Sequence, residues 1–120
     1  MMKTIMIRTD GLASVKEISS IKVLGAHFNG LIELVSTPRL PSPFCMVVDE
    51  EGKLKDLEQN VFASWLYGCD KHGEIIVGDA FLLKTEQGPD GYDLAGLTEQ
   101  DIHHLAGRFQ LELTPAVADA

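Results

Sequence analysis

Two apolar runs, Phe44–Val48 and Ile75–Leu83, constrain this chain more than any other feature. Each is β-prone and nearly free of polar residues. A strand that alternates apolar and polar residues has one wet face, whereas a continuously apolar run fits a strand covered on both faces. The two runs therefore read as neighbouring central strands. Between them lie an acidic turn, Asp49-Glu50-Glu51-Gly52, and an asparagine, Asn60, in front of a short apolar segment.

The flanking sequence supplies further elements. Lys3–Arg8 alternates as a half-buried strand, Thr9-Asp10-Gly11 signals a turn, and Ala13–Ile18 follows as a hairpin partner. Ser20 is placed to cap a helix over Ile21–Phe28, whose Ile21, Leu24 and Phe28 share a face. Asn29-Gly30 tolerates the left-handed geometry that ends a helix. Leu31–Val35 reads as a strand, and Thr37–Pro43, with three prolines, as a rigid surface connection. Leu54 and Leu57 are expected to return to the core. Asn60 predicts an N-cap for a helix over Val61–Tyr67 that stops at Gly68, with Phe62, Trp65 and Leu66 facing the core.

Glu74–Lys84 reads as one long strand interrupted at Gly78-Asp79, and a glycine there marks a bulge or a close backbone approach. Gln87–Gly91 reads as a loop. Thr98 and Asp101 form a capping-box pattern for a helix from Glu99 to about Ala106. Phe109–Leu113 alternates as a last strand. The expected fold is α+β: one small domain over residues 1–115, a mostly antiparallel sheet of about five strands with two or three helices, and a disordered tail over 116–120.

Composition narrows function. With 45% hydrophobic residues in 120, the chain can bury a core without disulfide staples. Its two cysteines and the lack of a secretory apolar segment point to a reducing cytoplasm. No apolar run nears the roughly 20 residues that span a bilayer, so no membrane is expected. The formal charge is −8, and lysines and arginines are scattered singly. That disfavours direct nucleic-acid binding.

The familiar phosphate-binding glycine patterns are absent. The acidic turn is no calcium loop, because glycine stands fourth and Lys53 fifth. Cys69 and His72 have half the spacing of a zinc site, but the adjacent His103 and His104 diverge on a helix, so no metal and no cofactor is expected. Catalysis could be assembled only from Cys69 with His72, or from Asp49 with Asp79 at strand interruptions. A ligand, if one binds, is expected at Asp49, Lys53, Trp65 and Asp79. Trp65 or Tyr67 would serve as an aromatic anchor.

Three blocks carry a resemblance: LGAHFNGLIELV over Leu24–Val35, VVDEEGKLKDLEQN over Val47–Asn60, and IIVGDAFLL over Ile75–Leu83. With TEQDI at Thr98–Ile102, their order over roughly Met2–Arg108 resembles a family of small phage, plasmid and conjugative-element proteins classed as a domain of unknown function. The Thr37–Pro43 loop and Trp65 depart from that pattern. The resemblance carries no catalytic residues; it implies a mobile-element gene acting in the bacterial cytoplasm. The expected role is a non-catalytic accessory protein that binds a host protein or sequesters a small signalling molecule, counteracting host defence, with homo-oligomerisation. The alternatives are a small hydrolase, or an acidic nucleic-acid mimic using Glu50, Glu51 and Glu58.

Overall fold

The computed structural model describes residues 1–35 and 37–114. The tail expected over 116–120 lies outside the described residues. The elements run β1 (Met2–Ile7), β2 (Ala13–Ile18), α1 (Lys22–Phe28), β3 (Ile32–Val35), β4 (Phe44–Asp49), α2 (Val61–Tyr67), α3 (Cys69–His72), β5 (Ala80–Gly88), β6 (Gly91–Ala95), α4 (Glu99–Phe109) and β7 (Leu113–Thr114). The fold is α+β, as expected, but the sheet has seven strands rather than five, and four helices accompany it. The sheet is also mixed: β7 runs parallel to β2, while every other pair of strands is antiparallel.

The strand order is β3-β4-β5-β1-β2-β7, with β6 also paired to β5. Residues 44–48 of β4 and 80–83 of β5 are apolar because both faces of the sheet are covered there. Met46, Val48, Ala80 and Leu82 point to one side, where Ala63 and Leu66 of α2 and Ile102 and Leu105 of α4 close the larger core. Cys45, Val47, Phe81 and Leu83 point to the other, where Leu24 and Phe28 of α1 close the smaller one. Each fully buried side chain of this size contributes about 1.5–3 kcal/mol. Cys45 behaves as one of these hydrophobes, and its burial pushes the thiol pKa up to about 11.

Several boundaries differ from expectation, each for a local reason. The strand expected over Glu74–Lys84 begins only at Ala80. Gly78, at φ +80°, turns the chain before β5 rather than bulging within it, and a Cβ there would stand 2.8 Å from Leu57 Cδ1. Residues 75–77 stay outside the sheet: Val77 bridges Gln59, Asn60 N donates to Ile76 O at 2.8 Å, and Ser64 of α2 completes the hold. Ser64 Oγ donates to Ile76 O at 3.1 Å and accepts from Ile76 N at 2.8 Å.

The Gln87–Gly91 loop is instead a tight hairpin. Gly88 and Gly91 pair across Pro89-Asp90, and β6 returns along β5. Helix α4 runs past Gly107 to Phe109, because Phe109 packs edge-on against Phe62 and Trp65. Its capping box is formed: Thr98 Oγ1 accepts from Asp101 N, and Asp101 Oδ2 accepts from Thr98 N at 2.8 Å. Burial alone would push the Asp101 carboxyl up. The Thr98 backbone N–H and the Lys84 ammonium outweigh it and hold that pKa below the ordinary value. Ser20 makes no side-chain cap; α1 begins after Ile21 with none, although it ends on a left-handed Asn29. Leu54 and Leu57 stay exposed rather than rejoining the core.

Candidate functional site

Asn60 organises the region between the two central strands. Its Oδ1 accepts from Ala63 N at 3.1 Å, the expected cap. Its Nδ2 also donates to Ile7 O and to Gly78 O, both at 3.0 Å. One fully buried amide thus ties β1, α2 and the turn before β5 together.

Beside this knot, Asp49 ends β4 almost completely buried. Glu51 N donates to its Oδ1 at 2.9 Å and Lys55 Nζ to its Oδ2 at 2.8 Å. Lys55 Nζ also donates to Phe28 O at 2.6 Å, joining the acidic turn to the end of α1. A charge this buried persists because it is paired and hydrogen-bonded.

Two concavities flank Asp49. A groove of about 340 Å³ is lined by Thr9, His27, Lys55, Glu58, Gly78 and Asp79, among others. Within it His27 Nε2 lies 3.1 Å from Asp79 Oδ2, and the His27 ring meets Phe28 and Phe81 edge-on. The second, a cleft of about 260 Å³, has Val35, Val48, Tyr67 and Ile76 among its apolar residues, with Glu33, Glu50, Lys53 and Glu74 also lining it. Lys53 pairs with Glu74 at 2.8 Å.

Of the four residues expected at a ligand site, Asp49 and Lys53 share the cleft, and Asp49 and Asp79 share the groove. Trp65 lines neither. It stands 42% exposed on the outer shoulder of α2, stacked on Phe62. Of the stripe expected to face the core, Leu66 is buried and Phe62 packs against the larger core; Ala63 and Ser64 join them in place of Trp65.

Arg39, an arginine between prolines that drew no attention in the sequence, fixes Trp65 from the loop side. Its guanidinium lies 4.7 Å from the Trp65 ring centroid and donates to Trp65 O at 2.6 Å. It also grips Asp70 through two bonds of 2.6 and 2.7 Å. Leu40, buried beside it, anchors the loop in the larger core.

The bonds from Arg39 hold the Asp70 carboxyl below the usual carboxylate range. A depressed folded-state pKa means that the pair's contribution is present above the ordinary Asp value near 3.9 and is lost as pH falls through the lower folded value. Trp65 is the sole tryptophan. Its fluorescence should therefore shift with a midpoint below about 3.9 in acid titration. Asp70→Asn should abolish that step. An unchanged step in the variant would assign it to another group.

Neither catalytic pairing expected from sequence comes together as a working set. His72 Nε2 bonds Tyr67 O at 2.9 Å, and its Nδ1 accepts from Glu74 N, so both ring nitrogens are engaged away from Cys69. Asp49 and Asp79 each hold a different cation-forming partner, Lys55 and His27. Among the described residues, no three His, Cys, Asp or Glu side chains gather as a metal would need. No helix among them is long and apolar enough to cross a membrane.

Neither a curated protein nor a solved structure matches this chain. Residues 2–110 match one family, described as "Domain of unknown function (DUF3846)". That match takes in β1 through α4, including the Asn60 knot, both concavities and the Trp65 shoulder, and the chain belongs to the DUF3846 family.

Proposed function

We propose that this protein is a non-catalytic binding protein whose Trp65 surface docks a host protein. The observation that carries this reading is the pre-set aromatic shoulder. Trp65, half exposed, is stacked on Phe62, edged by Phe109 and roofed by Arg39. A tryptophan and an arginine already held in place bind at low entropic cost, and such residues dominate interface energetics. The mobile-element setting, the bacterial cytoplasm and antagonism of host defence belong to the same proposal and rest on the sequence resemblance. Self-association belongs to it too, because small binding proteins commonly build sites at subunit contacts.

The test is affinity capture from bacterial lysate with the wild-type chain and with Trp65→Ala, after circular dichroism has established that the variant is folded. One host protein should copurify with the wild type and fall about tenfold with the variant. Equal recovery by both would remove Trp65 as the anchor.

The His27–Asp79 groove favours a second reading, sequestration of a small molecule. Native mass spectrometry of the same captured sample would then show a bound mass released unchanged on denaturation. Release of a converted product would instead indicate an enzyme.

A further inference from the structure

Strand β3 is the outer strand of its side of the sheet, bonded to β4 alone. Bonds in an antiparallel ladder fall on alternate residues. Glu50 N donates to Leu31 O, which sets the phase: Glu33 and Val35 bond β4, and the N–H and C=O groups of Ile32 and Leu34 face outward. No other protein group takes them up among the described residues. Natural sheets blunt such edges with short length, charge, prolines, bulges or covering loops; β3 has the first two, four residues with Glu33 among them, so a strand that joins it must neutralise that charge.

The side chains around this edge differ between the two faces of the sheet. On the cleft side stand Glu33 and Glu50, both exposed and neither in an ion pair among the described residues. On the opposite side lie Ile32 and the half-exposed Leu34. A strand added to β3 would continue both faces: cationic side chains beside Glu33 and Glu50, apolar ones beside Leu34.

We infer that the open edge of β3 captures an extended, basic segment of a partner protein by strand addition, with lysine or arginine alternating with apolar residues. Backbone bonds to Ile32 and Leu34 supply the pairing, and the acidic cleft rim selects for charge. This goes beyond the Trp65 reading, since the two surfaces share no residue, and each can fail without the other.

The probe is a synthetic octapeptide of alternating lysine and valine. Amide exchange at Ile32 and Leu34 should slow about tenfold on adding it, while Glu33 and Val35, already bonded to β4, change little. Binding should weaken at least about tenfold between about 50 mM and about 500 mM salt. It should also be lost in Glu33→Lys/Glu50→Lys and in Leu34→Pro, which removes one outward N–H. A peptide N-methylated along one edge repeats that last control without altering the protein, and it should not bind. The proposal is overturned if the N-methylated peptide binds as tightly as its parent. It is equally overturned if the peptide binds without protecting Ile32 and Leu34. Protection of those two amides in the free protein, together with a dimer in sedimentation that Leu34→Pro dissolves, would give the edge to a second copy instead.

Discussion

Replacing Asn60 with leucine is expected to cost about 4 kcal/mol of folding stability, the largest effect of any single substitution outside the hydrophobic core. Leucine keeps the volume and removes every side-chain bond. The first turn of α2 loses its cap, worth about 1 kcal/mol. Ile7 O and Gly78 O lose their shared donor at a buried site, at about 1–3 kcal/mol each when left unmade. These terms are not additive, since the chain relaxes around the vacancy. Asn60→Ser separates them. A serine hydroxyl can still cap Ala63 N but is too short to reach both carbonyls, so it should cost about 2 kcal/mol. Urea denaturation with an unchanged m-value would measure both. A loss below about 1 kcal/mol for Asn60→Leu would mean that the three bonds contribute little, and the knot would be ordinary packing.

The second large effect is expected at Lys55. Lys55→Met leaves the Asp49 carboxylate, 2% exposed, with Glu51 N as its one remaining partner among the described residues. Stranding a buried charge costs about 3–5 kcal/mol, and the partial exposure of Lys55 places this case near the lower figure. The end of α1 also loses its link through Phe28 O. Asp49→Asn in the same chain removes the stranded charge. The double variant should thus be more stable than Lys55→Met alone, with a coupling of about 1 kcal/mol or more. Strict additivity of the two losses would show that the pair does not act as a unit. Amide exchange should quicken across α1 in Lys55→Met, because that helix is seven residues long and cannot stand without tertiary support.

What could be read from the residues alone was what local chemistry dictates. The unbroken apolar pattern of Phe44–Val48 required cover on both faces, and both are covered. Asn60 and Thr98 cap their helices because a cap is a three-residue event. The other half of Asn60's role was hidden. Its bond to Ile7 O spans 53 residues, and nothing near Asn60 names that carbonyl. Residues 75–77 pair not with the sheet but with the backbone of residues 58–60 and with Ser64 of α2, partners that no local pattern names. The β5–β6 hairpin was missed because Pro89 made a loop the simpler reading of a two-residue turn. Arg39 left no trace in pattern or propensity, since its partners Trp65 and Asp70 are 26 and 31 residues away. Of the expected ligand residues, Lys53 and Asp79 fall into separate concavities that Asp49 alone shares, and Trp65 enters neither, because spacing along the chain says little about where a residue ends up around a sheet.

Strand β5 joins the sheet's two halves, for β1–β2 meets β3–β4 only through it. The N-terminal hairpin is translated first, yet its inner strand gains a second neighbour only when residues 80–88 exist. A ribosome-bound chain ending before Ala80 therefore carries two hairpins with no strand between them, each with one edge left open that the finished sheet closes. The assembly of this sheet is gated by a segment that follows both hairpins in the chain. Closing a loop from Ile7 to Ala80 sets a high contact order, which slows folding relative to a sheet built from successive hairpins.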